Sequence, residues 1–360
     1  MPKRIGYLYE KVIDKNNCRE AIFTGTKNLD KTKEVLYIRA HADEYAEKIS
    51  NIIQNGWMPE PLRNKTITEG NSRKVRHLQI PSLRDHLIHV AIMLPIMDKL
   101  TRYFDPFCCG SIEGRGQGLV NKYLKRVLEE NHPKYGADAD VYHCYPTIKH
   151  NDVIASLRRI IKDEKYIHLH ETILHQMNPS GVGLAIGFQP SHWYANLVLT
   201  DVDRVVRNSP YSVTYVRYMD NINMTSNRKR HLHKALNIIV EELAKKDMRL
   251  NNSHQIYHIK DRGIQLLSYR YFPKKVILKK ITMYAITAAI KRFNDHPCVE
   301  FARGMLSRLG LLEHCDSENY KRKYIYGKTD INKARRMVSY DDRKRALCRA
   351  TELGDYQPGW

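Results

Sequence analysis

Residues 214–224 read TYVRYMDNINM, and the role of the carboxylate at their centre decides the fold. Apolar half-strands flank Met219-Asp220, so the stretch reads as a hairpin with a tight turn. Asp is a common turn residue, because its side chain bonds back to nearby amides. It is also a hard oxygen donor that suits a divalent cation. Which reading holds depends on whether a second carboxylate stands beside Asp220.

Asp140 is the candidate. It lies in DADVYHCYPTIKHNDVIASLRRII (138–161), which reads as strand, turn and helix with Pro146 as punctuation. An antiparallel sheet that sets the two strand ends side by side would bring Asp140 and Asp220 together. Adjacent carboxylates repel unless a cation intervenes. Magnesium takes one or two carboxylates plus phosphate oxygens. The competing reading leaves both residues as ordinary turn aspartates.

Bulk composition narrows the partner. The chain has 360 residues, with 60 Lys+Arg against 39 Asp+Glu for a net charge of +21. Such an excess suits a polyanion, since Lys and Arg release counterions from phosphates; a basic but inert surface is the competing reading. Apolar content of 42% excludes a disordered chain. Tyr is abundant at 23 against 7 Phe, which suits base stacking, although most Tyr residues serve cores. The N-terminal stretch MPKRIGYLYEKVIDKNN is charged and has no long apolar region. No segment approaches the ~18 apolar residues of a membrane span, so no membrane partner is expected. Seven scattered Cys, with Cys108 and Cys109 adjacent, read as reduced usage and predict a cytoplasmic location. His296, Cys298, His314 and Cys315 lack the paired spacing of a zinc site.

The other segments supply context. Residues 5–55 read as helical and stop at Gly56. RKVRHLQIPS (73–82) alternates basic and apolar residues, as a strand with one basic face would. LRDHLIHVAIMLPIMDKLTRYF (83–104) reads as a long helix kinked or broken at Pro95. GSIEGRGQG (110–118) is a Gly-rich basic loop before a helix. It lacks the Lys-Ser/Thr ending of a nucleotide-hydrolase loop. GVGLAIGFQPSHWYANLVLTDVDRVV (181–206) reads as a turn and then a helix from about Ser191. RHLHKALNIIVEELAKK (230–246) is an amphipathic helix, RGIQLLSYRYFP (262–273) a short strand pair, and the remainder helical and basic.

Taken in order, these stretches resemble the motif series of bacterial reverse transcriptases. They are most similar to the diversity-generating retroelement and prophage-type branch, which is related to group II intron and retron enzymes. RKVRHLQIPSLRD resembles the family's basic strand and RD pair (Arg84, Asp85). DVYHCYPTIKH resembles the first catalytic motif, and GLAIGFQPSHWYANLVL the template-grip motif. VRYMDN resembles the YxDD box, RGIQLLSYRYF the primer grip, and LGLLEHCDSENYKRKY a thumb segment. The resemblance spans roughly residues 5–345. It implies an α+β right-hand polymerase fold: fingers and palm around an antiparallel sheet with helices, plus a helical thumb. The implied divisions are 1–135 for N-terminal helices and fingers, 136–272 for the palm, and 273–360 for the thumb and C-terminal tail.

The resemblance also implies roles. Asp140, Asp220 and Asn221 would be catalytic and would ligate Mg2+, with Mn2+ as a possible substitute. Arg76 and Lys74 would pair with the dNTP triphosphate. Tyr145 would sit under the incoming sugar, while Gln189 and Ser191 would line the nucleotide pocket. Arg84, Arg115, Gly187, His192, Tyr218, Met219 and Arg270 would contact nucleic acid. The implied partners are an RNA template, a DNA primer or product and dNTPs, with an accessory protein or oligomer open.

Three positions depart from the pattern. Asn221 stands where the family has a second Asp, His192 replaces the Gln of an SQ pair, and Ser268 replaces a Gly of the primer grip. No general-acid Lys is evident downstream of the hairpin; His254 is a chemically reasonable substitute. The chain therefore reads as an RNA-directed DNA polymerase with a weakened metal site, of a diversity-generating or defence-type retroelement. The alternative is a catalytically impaired polymerase-fold subunit that binds RNA or DNA beside a partner protein.

Overall fold

The computed structural model describes residues 4–27, 29, 32–68, 75–351 (backbone alone for 344–351) and 358–360. Nine described strands form three antiparallel sheets. β1 (Arg63–Thr68) pairs with β2 (Val75–Ile80) as a ribbon. β3 (Tyr135–Asp140), β4 (Thr214–Tyr218), β5 (Asn221–Ser226) and β6 (Gln255–His258) form a sheet in the order β4-β5-β3-β6. β7 (Ile264–Leu266), β8 (Tyr269–Phe272) and β9 (Lys275–Leu278) make a third sheet, one strand more than the predicted pair. Chain after Leu278 is helical through Lys280–Asp295, Val299–Leu309, Glu318–Tyr324 and Ile331–Thr351.

Strand β4 divides two hydrophobic cores. Tyr215 packs into the larger one, with the N-terminal helices, the helix Leu83–Tyr103 and the helix Gln189–Arg207. Val216, on the opposite face, packs with the helix Gln117–Glu130, the third sheet and the C-terminal helices. Successive strand residues point to opposite faces, so a five-residue strand can serve both cores only if both faces are apolar.

The helix Leu83–Tyr103 runs through Pro95 rather than breaking there. Proline removes one amide and frees the carbonyl four residues earlier. That carbonyl, of Ala91, accepts from the Asn17 side-chain amide at 2.9 Å, and the next, of Ile92, accepts from the Tyr166 hydroxyl at 2.5 Å. Neighbouring elements thus satisfy the polar groups that would otherwise favour a break.

Two histidines are fully buried. His89 bonds Gln176 Oε1 through Nε2 and stacks on Phe188, and His170 Nδ1 shares a 2.7 Å hydrogen bond with the Tyr194 hydroxyl. Burial pushes both down to about 3, and the half-buried His192 to about 4. All three are neutral in the fold, whereas an unfolded chain protonates them near pH 6.5. As pH falls from 6.5 towards 4, the unfolded state binds protons that the folded state refuses. Stability should therefore fall by up to about 1.4 kcal/mol per pH unit per histidine. Urea titrations of wild type and His170→Leu across that window check this: the variant should show the shallower pH slope, and equal slopes would contradict it.

Candidate active site

The register of the central sheet builds the site. Tyr218 pairs with Asn221 across the β4–β5 turn, and Asp140 pairs with Asn221 across β3–β5. The Val141 amide donates to the Asp220 carbonyl at 3.2 Å. Asp140 and Asp220 are thus neighbours at one end of the sheet. Both line a cleft of about 860 Å3, together with Arg76 from β2, Tyr145 and Asn251. The Asn251 amide donates to the Asp140 carbonyl at 2.7 Å, which fixes the strand end from the other side.

The turn is held from beneath by Arg217, fully buried in a strand of a basic, solvated protein. All five of its N–H groups have acceptors. Nε and one Nη donate to the equally buried Asp203 at 2.7 and 2.6 Å. The other Nη donates to Asn196 Oδ1 at 2.9 Å and to the Met219 carbonyl at 2.8 Å, and the fifth donor faces Cys108 Sγ at 3.2 Å. Tyr215 adds a 2.6 Å bond to Asp203. The Met219 carbonyl belongs to the peptide that leads into Asp220, and Met219 itself has a left-handed φ of 57°. A non-glycine residue is held there only when its surroundings over-determine it. Gly110 completes the clamp: a Cβ on it would lie 2.5 Å from the Met219 amide nitrogen.

Arg217, Asp203 and Asn196 were not marked as functional by their sequence motifs. The available signal was a lone charge in the short strand β4, Arg217, and an acid at an apolar-spaced position of the helix Gln189–Arg207, Asp203, between Val202 and Val206. Charges at such positions are retained only when paired.

Several of the implied nucleic-acid contacts have partners within the fold. Arg84 donates to Asp85 and to the Met58 carbonyl and pairs with Glu60. Asp85, fully buried, also accepts from Trp57 Nε1, the Glu60 amide and Gln176. Arg115 donates to the carbonyls of Asp105 and Thr101 at 2.8 and 2.5 Å, and Arg270 to the carbonyl of Arg262. Ser191 is buried with its hydroxyl donating to the Ala185 carbonyl at 2.6 Å, so it supports the pocket wall instead of lining it. Gln189 and His192 likewise stand outside the cleft lining. Gly187 is the close-approach residue: its φ is +115°, and a Cβ there would meet the Gln79 carbonyl at 2.8 Å. It lets segment 182–186 pack against β2, where the Gln79 amide bonds the Ile186 carbonyl at 3.0 Å. Tyr218 is half-buried and packs against the second core. His254 is exposed and bonds the Asn251 carbonyl at the edge of the cleft. Lys74 lies outside the described residues.

The donor set fits a hard cation. Asp140 and Asp220 offer carboxylate oxygens, and Asn221 Nδ2 lies 3.1 Å from Asp220 Oδ1, so a turn of that amide presents its oxygen at the same spot. Cys144 is the nearby sulfur, but burial and then the charges of Asp220 and Asp140 push its thiol up to about 12. Asp140, Asp220 and Asn221 are oxygen donors at one end of the sheet, the ligand type that suits Mg2+.

A family model described as "Reverse transcriptase (RNA-dependent DNA polymerase)" matches residues 63–270. Curated relatives include the group II intron-encoded protein LtrA of Lactococcus lactis subsp. cremoris and of its strain MG1363. Each is 28% identical over 213 residues, covering 53% of this chain and 35% of the relative. The chain thus spans about a third of the length of the curated relatives it matches. Among solved structures, telomerase from Candida albicans with a fragment of telomeric RNA aligns with a TM-score of 0.48 and 10% identity, covering 84% of this chain and 62% of that one.

Proposed function

Since the chain belongs to the reverse transcriptase family, with its α+β right-hand polymerase fold, we propose that it is an RNA-directed DNA polymerase acting at the Tyr218–Asn221 turn. The observation that carries this reading is the register that places Asp140 opposite Asn221 and beside Asp220, at the mouth of a cleft also lined by Arg76 and Tyr145. Asp140 and Asp220 would hold Mg2+, with Asn221 as a neutral third ligand. When bound, two such ions polarise a primer 3′-hydroxyl and offset charge on the leaving pyrophosphate. Arg76, in the cleft lining, would pair with the triphosphate through charge-assisted bonds. The divisions 1–135, 136–272 and 273–360 then serve as fingers, palm and thumb, around an RNA template and a DNA primer.

Tyr145 selects the sugar. Its carbonyl accepts from the Leu184 amide at 2.8 Å, and burial first, then Cys144 and Asp220, keeps its phenol protonated. A fixed ring under the sugar would clash with a 2′-hydroxyl. Tyr145→Ala should raise rNTP incorporation relative to dNTP by on the order of tenfold or more, if one steric clash is worth about 1.4 kcal/mol. Competition assays on a fixed primer–template measure the ratio, and an unchanged ratio in an active preparation would remove this role.

The match of IGFQPS and VRYMDN to the diversity-generating and prophage-type pattern supports a retroelement of that branch, with mutagenic or defence use. Sequencing RNA that copurifies from the native host tests it: one structured species supports a dedicated template, and bulk cellular RNA counts against one. The neutral Asn221 favours a second reading, a polymerase-fold subunit that binds nucleic acid while a partner supplies activity.

A further inference from the structure

We propose that the end of the palm sheet opposite the catalytic turn is a second nucleic-acid site, which grips the phosphate backbone of RNA outside the polymerase cleft. Strand β5 carries the chain from Asn221 at the turn to Ser226, roughly 17 Å along the strand. There a cavity of about 530 Å3 opens, lined by Thr225, Ser226, Asn227, Arg228 and His231 among others. Arg228 in the lining is exposed, and so are Lys229, Arg230, His233 and Lys234, which follow it in the first turns of the helix Lys229–Ala244. Among the described residues none of Arg228, Lys229, Arg230 and Lys234 has an ion pair, whereas cations elsewhere on the surface do, as in Arg159–Asp201 and Arg158–Glu164. Acids do lie nearby: Asn131, in the cavity wall, follows Glu129 and Glu130, but Glu130 is taken by Arg126 at 3.8 Å. The patch therefore keeps a strong positive excess.

Three features make the cavity a fit for a phosphate rather than a merely solvated basic face. The sixteen-residue helix Lys229–Ala244 begins at Arg228 in the cavity wall without a side-chain cap, so the positive end of its dipole lies there. Thr225 is 2% exposed and lines the cavity, and its hydroxyl has no hydrogen-bond partner among the described residues. His231 Nδ1 accepts from the Ser212 amide at 3.2 Å, so in the neutral ring the proton sits on Nε2, a further donor. Donors with no acceptor and cations with no anion call for an anionic ligand. A polymer of phosphates uses the cavity and the flanking cations together, as an isolated ion cannot.

The test is filter binding of a structured RNA hairpin, of about 60 nucleotides and so longer than the cleft, by wild type and by Lys229→Glu/Arg230→Glu. Acidic residues are favoured in a helix's first turn, so the reversal leaves the fold intact; a urea titration verifies that. Affinity for the hairpin should drop about tenfold or more at low salt, and the slope of log K against log salt should flatten by about 2. Extension of a short primer–template confined to the cleft should be unchanged, so failure here is separable from failure of the polymerase assignment. Equal hairpin affinity and salt slope in wild type and the double variant would overturn the proposal. So would a deficit seen only on vesicles of anionic lipid, or an equal loss on the short duplex.

Discussion

Asn221→Asp should bind magnesium more tightly and polymerise faster at low magnesium than the wild type. Asn221 is exposed beside Asp220 and opposite Asp140, so the substitution adds one anion where two carboxylates already face a cleft. A unit charge about 4 Å from a cation contributes on the order of several kcal/mol at intermediate dielectric. Even a fraction of that lowers the magnesium midpoint by tenfold or more, at about 1.4 kcal/mol per decade. Manganese should support the native protein better than magnesium, because it accepts neutral and nitrogen donors more readily. A magnesium titration of extension rate measures both. An unchanged midpoint in an active Asn221→Asp preparation would show that position 221 contributes no ligand.

Arg217→Met should destabilise the fold by about 3–5 kcal/mol, the usual consequence of stranding a buried charge. Asp203 would keep its charge with only the Tyr215 hydroxyl left as partner. Replacing both members of the pair, in Arg217→Met/Asp203→Leu, should restore most of the stability, since apolar residues of similar volume substitute well for buried ion pairs. Activity should not return with it. The Met219 carbonyl would still lack its 2.8 Å donor, so the left-handed turn that presents Asp220 would be held less firmly. Urea denaturation reads the first effect, and magnesium midpoints of the refolded double variant read the second. If the double variant regains both stability and wild-type magnesium dependence, Arg217 is a core residue with no part in positioning the turn.

The site's position was legible in the sequence because strand parity and turn chemistry are local. Met219-Asp220 read as a hairpin tip and Asp140 as a strand end, and the register of β3 with β5 makes them neighbours. The support beneath was not legible, because it is non-local. Arg217, Asp203, Asn196 and Cys108 come from three elements, and only tertiary packing brings them together. The same limit explains Arg84, Arg115 and Arg270. A basic residue in a basic chain reads as a phosphate contact, yet each of these satisfies carbonyls or carboxylates of its own fold. Pro95 failed as a breaker for the same reason, since Asn17 and Tyr166 lie over 70 residues away. The close approach of Gly187 to the Gln79 carbonyl is likewise non-local, since the two lie over 100 residues apart.

Primer extension on an RNA template by wild type and Asp220→Ala, with magnesium and with manganese, tests the central claim most directly. Synthesis by the wild type and none by Asp220→Ala is the expected result, because the substitution removes a carboxylate from the mouth of the cleft. Silence of both the wild type and Asn221→Asp with either metal, while RNA binding stays intact, would contradict it and leave the palm as a scaffold.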